Sequence, residues 1–142
     1  MESLRVTGKL ESLEKISKYV LSVAQKAELS KKDTYRLRLA VDEIATNIII
    51  HGYEEAEIEG EIICTSTIDE QAITIYLEDT GVEYDSTLQE QPNNLDTPLE
   101  QREIGGLGIY LAINGVDRFK YERIGNCNRN IFAIDRKIID KD

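Results

Sequence analysis

Apolar residues recur at helical spacing through the middle of the chain. When residues 37–53 are drawn as a helix of about 100° per residue, four large aliphatic side chains fall on one narrow stripe. Burying each of them contributes roughly 1.5–3 kcal/mol, so this stripe must pack on a core. The pattern predicts a central amphipathic helix that the other elements surround. The stripe consists of Leu37, Val41, Ile44 and Ile48.

The ends of the central helix and two further helices follow from similar signals. Ser30 with Asp33 three residues later is typical of a capped helix start, and Gly52 predicts the end of that helix. Apolar residues at three- and four-residue spacing predict an earlier amphipathic helix over residues 12–28. A glycine-rich opening predicts a third helix over residues 105–116.

Five segments have the composition or the alternation of β-strands. The second and third are separated by three polar residues and predict a hairpin, and the last two predict another hairpin around a Gly-Asn pair. The order β-α-α-β-β-loop-α-β-β favours an α+β fold. We expect a two-layer sandwich in which about three helices cover one face of a mixed, mostly antiparallel sheet. The predicted strands span residues 4–10, 61–68, 72–79, 118–124 and 130–134.

Composition restricts the partners and the location of the protein. The 142 residues carry a formal net charge of −10, which argues against nucleic acid or an anionic membrane surface as partner. We expect one domain over residues 1–142. No apolar run approaches the roughly 20 residues of a transmembrane helix, and no signal-like segment follows Met1. Cys64 and Cys127 lack zinc-binding spacing, so we expect free thiols and a cytoplasmic protein.

Glu43 and Asn47 lie one above the other on a shoulder of the apolar stripe. A buried asparagine without partners costs roughly 1–3 kcal/mol, so a polar ligand should meet it. Magnesium prefers oxygen ligands and keeps several waters, so one carboxamide oxygen can bind it beside phosphates. Glu43 can accept a proton from a water or an incoming hydroxyl. The alternative is an ordinary helix with two polar side chains on its flank.

Two glycine-containing segments are candidates for contacts to a nucleotide. Asp79 ends a predicted central strand and Gly81 lets a flat ligand approach it, although a simple turn is the alternative interpretation. The second segment has Gly106 and Gly108 on either side of Leu107. These glycines leave backbone N–H groups available at a helix start, which suits phosphate. This second segment matches neither a dinucleotide-binding fingerprint nor a Walker loop.

These segments carry a family resemblance in their order and separation. VDEIATNIIIHGY, LEDTGVEYD and GGLGIYLAINGVDRFKYE resemble the N, G1 and G2 boxes of the GHKL ATPase superfamily. Within it they are most similar to the anti-sigma factor serine/threonine kinases of bacterial partner-switching systems. The resemblance implies the Bergerat ATP-binding sandwich, with ATP and Mg²⁺ between the central helix and a lid. The superfamily has Asp-x-Gly-x-Gly, whereas an aromatic-Asp pair, Tyr84-Asp85, ends this segment, as a similar pair does in the anti-sigma branch.

The resemblance implies a role for each matching residue. Asn47 would coordinate Mg²⁺, and Glu43 would be the general base that activates the acceptor serine. Asp79 would bind the adenine amino group, with Gly81 shaping that pocket.

The resemblance also implies how the phosphates are held. Gly106, Leu107 and Gly108 would contact the phosphates through backbone N–H groups. A polar loop without periodicity would form the ATP lid over residues 83–104. Arg102 is the arginine of that loop able to approach the terminal phosphate.

The function implied is that of a cytoplasmic protein kinase. It would phosphorylate a STAS-type anti-sigma factor antagonist, which would compete with a sigma factor or another regulator, and it would form a homodimer through the sheet edge and first helix. The main alternative is a non-catalytic nucleotide-binding switch module that sequesters a regulator. We do not expect a histidine kinase, since no dimerisation helix with a phosphoacceptor histidine precedes these boxes. His51, the only histidine, is interpreted as structural.

Overall fold

The computed structural model describes residues 2–88 and 104–136, and it contains five strands and three α-helices within those ranges. Short 3₁₀ turns at Leu10–Ser12 and Ser86–Leu88 and a π-helical segment at Ile48–Glu54 join them. The elements are β1 (Leu4–Thr7), α1 (Leu13–Lys26), α2 (Lys31–Asn47), β2 (Glu61–Ile68), β3 (Ala72–Asp79), α3 (Ile104–Gly115), β4 (Arg118–Ile124) and β5 (Cys127–Asp135).

The five strands form one sheet in the order β1-β2-β3-β5-β4. All four pairings between these strands are antiparallel, which confirms the α+β class and the central position of β3. The register sets Asp79, the last residue of β3, opposite Ile62 on one side and Asn128 on the other. The polar end of β3 is therefore flanked by the first part of β5.

The helices cover one face of the sheet, as predicted. Along β3, Ile73, Ile75 and Leu77 are fully buried, whereas Tyr76 on the opposite face is partly exposed. The buried side chains join the apolar stripe of α2 in a single core cluster, to which α1 and α3 also contribute. The predicted stripe is confirmed, since its members Leu37, Val41, Ile44 and Ile48 are all at most 4% exposed.

The predicted start of α2 is confirmed and the predicted end is wrong. Ser30 is the N-cap, and its Oγ accepts a hydrogen bond of 3.1 Å from the backbone N–H of Asp33. Gly52 does not end the helix, because the chain continues as a π-helical segment through Glu54. The Glu55 N–H donates to the Ile50 carbonyl at 2.8 Å, which is the wider i→i+5 bond of such a turn. Packing of this segment against other elements outweighs the local glycine signal.

Two strand boundaries also differ from the prediction. β1 ends at Thr7, because the chain turns at Gly8, whose N–H donates to the Gly60 carbonyl at 2.8 Å. β5 begins at Cys127 rather than at residue 130, because its first residues pair with the end of β3.

The described part of the chain contains no helix long and apolar enough to cross a membrane. Cys64 and Cys127 are free thiols, as expected.

Tyr53 ties the π-helical segment to the sheet. Its ring lies between two glycines, and a Cβ at Gly60 would lie only 2.6 Å from the ring carbon Cε1. Its hydroxyl donates to the Glu61 carbonyl at 2.7 Å and accepts from the Thr80 N–H at 2.9 Å. The helix end, the start of β2 and the residue after β3 are therefore fixed to one another. The second glycine that contacts the ring is Gly8.

The cap of α2 gives a testable prediction. Replacing Ser30 with alanine removes the acceptor for the Asp33 N–H, so we expect Ser30→Ala to lower the free energy of unfolding by about 1 kcal/mol. Urea denaturation measures this change. Ser22→Ala is the matched control, because Ser22 is exposed within α1 and its hydroxyl only donates to the Lys18 carbonyl. Equal effects of the two substitutions would contradict the capping role.

Candidate functional site

Glu43 and Asn47 lie next to each other on α2, as predicted. Asn47 is only 8% exposed, and its Nδ2 donates to the Glu43 backbone carbonyl at 2.8 Å. The same nitrogen lies 3.5 Å from Glu43 Oε1. Because two acceptors surround Nδ2, the orientation of the amide is set, and Oδ1 is the end available to a cation. This is the hard oxygen ligand that magnesium prefers.

The Glu43 carboxylate contacts α3 at Gly108. A Cβ on Gly108 would lie 2.8 Å from Glu43 Cδ and 3.2 Å from Oε2, so a larger residue would displace the carboxylate. The glycine therefore permits close approach of α3 to α2, a function that the helix-start interpretation did not include. The predicted phosphate-contacting residues Gly106 and Leu107 lie in the first turn of α3. Backbone N–H groups of a first turn have no partner within their own helix.

The carboxylate of Asp79 is buried, and its two oxygens have different surroundings. Oδ1 accepts from the Gly81 N–H and from Asn128 Nδ2, both at 2.9 Å. Oδ2 is buried without a hydrogen-bond partner, and the residue is 3% exposed. Burial raises the pKa of Asp79, while the hydrogen bonds from Asn128 and Gly81 oppose that shift. An unpaired buried acceptor costs roughly 1–3 kcal/mol, so Oδ2 is suited to the N–H of a ligand.

Gly81 joins the end of β3 to the end of the central helix. A Cβ on Gly81 would lie 2.7 Å from the Gly52 carbonyl oxygen, so only glycine fits. The same oxygen accepts from the Val82 N–H at 3.0 Å. The loop that follows Asp79 therefore packs directly on the π-helical segment that follows Asn47.

The segment after β3 and the start of α3 thus both contact the segment that contains Glu43, Asn47 and Gly52. α3 contacts α2 through Gly108 and Glu43, and the loop after β3 contacts the continuation of α2 through Gly81 and Gly52. Within residues 2–88 and 104–136 there is no group of three or more His, Cys, Asp or Glu side chains that could hold a metal ion. The candidate magnesium ligand among the described residues remains Asn47.

Sequence reasoning missed two asparagines on β5. Asn128 and Asn130 are 2% and 1% exposed and lie in phase with the core residues Phe132 and Ile134. Asn128 bonds Asp79, and Asn130 Oδ1 is buried without a partner. The available signal was the pair of amide residues at core-facing positions of a strand, since buried polar groups need partners.

His51 has neighbours that fit a structural role. Its ring stacks on Tyr84, with centroids 5.2 Å apart and planes 14° apart, and its Nδ1 lies 2.7 Å from Glu55 Oε1. Burial raises the pKa of Tyr84, and the nearby carboxylates of Glu55 and Glu43 add to that shift. The stack fixes the first residues of the predicted lid against the end of the central helix. Arg102 and most of that lid, residues 89–103, lie outside the described residues.

Comparison with known proteins identifies the class of fold and site. The family model of the histidine kinase-like ATPase domain matches residues 6–132. The chain therefore belongs to the histidine kinase-like ATPase family. A solved histidine kinase domain from the Erythrobacter litoralis EL346 blue-light activated histidine kinase superposes with a TM-score of 0.51 at 16% identity. That match covers 86% of this chain and 58% of the other, and it concerns the fold alone.

Curated relatives narrow the resemblance within this family. The chain is 30% identical over 111 residues to the serine-protein kinase RsbW of Bacillus mycoides (strain KBAB4). It is equally similar to the protein of the same name from Bacillus cereus (strain G9842). Each match covers 76% of this chain and 68% of the relative.

The buried Asp79 carboxylate gives a pH prediction. Because its pKa is raised above the ordinary value of 3.8, the protonated form stabilises the fold, and this stabilisation is lost as the pH rises through the raised pKa. Asp79→Asn cannot ionise. We therefore expect its free energy of unfolding, relative to wild type, to increase from about pH 4 to about pH 7. Urea denaturation without nucleotide at both pH values measures this.

The control for this pH prediction is Asp69, whose pKa is shifted in the opposite direction. Asp69 accepts from the backbone N–H groups of Ala72 and Gln71, which lower its pKa. The charged form of Asp69 stabilises the fold at pH values above its ordinary pKa. This stabilisation is lost as the pH falls through the lowered pKa. Asp69→Asn should therefore be less stable than wild type at neutral pH. If Asp79→Asn became less stable relative to wild type as the pH rises, the account of Asp79 would be wrong.

Proposed function

We propose that residues 1–142 form a single histidine kinase-like ATPase domain with ATP-dependent serine/threonine protein kinase activity. Its substrate would be a STAS-type anti-sigma factor antagonist in a partner-switching system. The names of the Bacillus relatives support a serine-protein kinase. The observation that carries the proposal is the Glu43 carboxylate, which lies against Gly108 of α3 one turn before Asn47.

Asp79 would recognise the base of ATP. Its unpartnered Oδ2 is a buried acceptor, which suits one N–H of the adenine amino group. Gly81 keeps the loop after β3 close to Gly52 and so leaves the carboxylate in place at the end of the strand. The nucleotide would therefore lie between this strand end and the helical layer.

The phosphates would lie between α2 and the start of α3. When bound, Mg-ATP supplies the phosphoryl group and the positive charge that neutralises its oxygens. Asn47 would provide one oxygen ligand to Mg²⁺ through Oδ1. The backbone N–H groups of Gly106, Leu107 and Gly108 would bind phosphate oxygens, as a helix start favours. Arg102 would approach the terminal phosphate from the lid.

Glu43 would act as the general base. Its carboxylate would accept the proton of the acceptor serine hydroxyl as the serine oxygen bonds to the terminal phosphorus. The bond from that phosphorus to the bridging oxygen breaks, and ADP leaves with the electron pair. The contact with Gly108 supports this role, because it keeps the carboxylate beside the first turns of α3.

The proposed partners follow from the same resemblance. Unphosphorylated antagonist would compete with a sigma factor or another regulator for this chain, in the cytoplasm. A homodimer through the sheet edge and first helix is also proposed. β1 is an edge strand of the sheet and packs on α1, which supports that arrangement.

Replacing Glu43 with glutamine tests the catalytic proposal. Glutamine keeps the shape of the side chain and cannot accept the proton, so we expect Glu43→Gln to slow phosphoryl transfer by about 100-fold or more. Transfer from γ-labelled ATP to a purified STAS-type antagonist measures the rate. Calorimetry should show Mg-ATP affinity within a few-fold of wild type.

The matched control is Glu59→Gln, the same chemical change at an exposed residue before β2. It should transfer phosphate at the wild-type rate. Transfer by Glu43→Gln as fast as wild type would overturn the general-base role. Binding of Mg-ATP by wild type without transfer to any partner would instead favour the non-catalytic switch module.

A further inference from the structure

We propose that Asn128 is a positioning residue that makes the site selective for adenine over guanine nucleotides. It does so by occupying one oxygen of the Asp79 carboxylate, which leaves a single acceptor for the base. The inference rests on the proposed binding of a nucleotide at Asp79, and it does not require phosphoryl transfer.

The orientation of the Asn128 amide follows from its neighbours. Arg123 Nη1 lies 3.0 Å from Asn128 Oδ1, and a guanidinium can only donate, so this end of the amide must be the oxygen. The Tyr121 hydroxyl donates to the same oxygen. The other end is therefore Nδ2, and it faces Asp79 Oδ1 at 2.9 Å. Asn128 is a donor to the carboxylate.

Asp79 Oδ1 is consequently saturated. A carboxylate oxygen offers about two acceptor sites, and Oδ1 already accepts from Asn128 Nδ2 and the Gly81 N–H. Oδ2 is buried and without a partner. A base that enters this site meets one carboxylate acceptor rather than two.

Asn128 also fixes the loop that follows Asp79. Its Nδ2 lies 3.1 Å from both the Gly81 and the Val82 carbonyl oxygens. Arg123 Nη1 donates to the same Gly81 carbonyl at 3.2 Å. These contacts between β5 and the loop hold the Asn128 donor in place beside Asp79 Oδ1.

A single acceptor favours adenine over guanine. Adenine presents an amino group at its 6-position, and one N–H of that group satisfies Oδ2. Guanine has a carbonyl oxygen at that position, which would oppose Oδ2. Its adjacent N1–H and N2–H donors instead match a carboxylate with both oxygens available. A site built for one hydrogen bond rejects a ligand that leaves a buried polar group unpaired.

Asn128→Leu tests the inference, because leucine has a similar volume and no donor. Calorimetry with Mg-ATP and with Mg-GTP gives the ratio of the two dissociation constants. We expect the preference of wild type for ATP to fall by about tenfold or more, mainly through tighter Mg-GTP binding, because Asp79 Oδ1 regains an acceptor site that a guanine donor can use. Asn128→Ser, which is shorter and cannot reach Asp79 in the same way, should shift the ratio in the same direction.

The matched control is Arg129→Met. Arg129 is the next residue of β5, but its guanidinium lies on the opposite face, 4.4 Å from the centre of the Tyr76 ring. This variant should keep the wild-type ratio even if the strand is destabilised. If Asn128 had only a general structural role, its replacement would weaken the binding of Mg-ATP and Mg-GTP equally.

The outcomes separate the inference from the proposed function. An unchanged ratio in both Asn128 variants, or equal weakening of ATP and GTP, would overturn the role of Asn128 and leave nucleotide binding intact. A wild-type chain that binds neither nucleotide would overturn both. A wild type that binds ATP and transfers no phosphate would overturn the kinase proposal alone, and the shift in ratio would still support the role of Asn128.

Discussion

The unequal hydrogen bonding of the Asp79 carboxylate is the constraint on which the candidate site depends. Two donors hold one oxygen, and the other oxygen is buried without a partner at the end of the central strand. Such an arrangement is unfavourable for the free chain and favourable when a ligand donates to the unpaired oxygen. The structure gives up stability at this position and gains a directional acceptor for the N–H of a ligand.

Glycines bring the rest of the site to this carboxylate. Gly81 permits the loop after β3 to pack on the Gly52 carbonyl, and Gly108 permits α3 to contact Glu43. A Cβ at Gly81 would meet backbone atoms of Gly52, and a Cβ at Gly108 would displace the Glu43 carboxylate. The long helix α2 and its π-helical continuation are therefore the common support, because Glu43 on the helix contacts α3 and Gly52 on the continuation contacts the loop. Residues of widely separated sequence segments meet on this one element.

The order and type of the elements could be predicted from the sequence, because hydrophobic periodicity reports directly on which faces are buried. The positions of Glu43 and Asn47 on one shoulder of α2 followed from helical geometry alone. The continuation of the helix past Gly52 could not be predicted, since tertiary contacts of the π-helical segment override the local glycine signal. Asn128 was missed for a similar reason, because pairing with β3 rather than local pattern sets the start of β5. The loop that includes Arg102 has no periodicity from which to predict its contacts.

A crystal structure of the chain with Mg²⁺ and a non-hydrolysable ATP analogue would test the central claim most directly. We predict the adenine amino nitrogen at roughly 2.7–3.2 Å from Asp79 Oδ2, with Asn128 still bonded to Oδ1. The Asn47 carboxamide oxygen should coordinate the magnesium ion. A nucleotide bound elsewhere, or one bound here with Asp79 Oδ2 still unpaired, would contradict the claim.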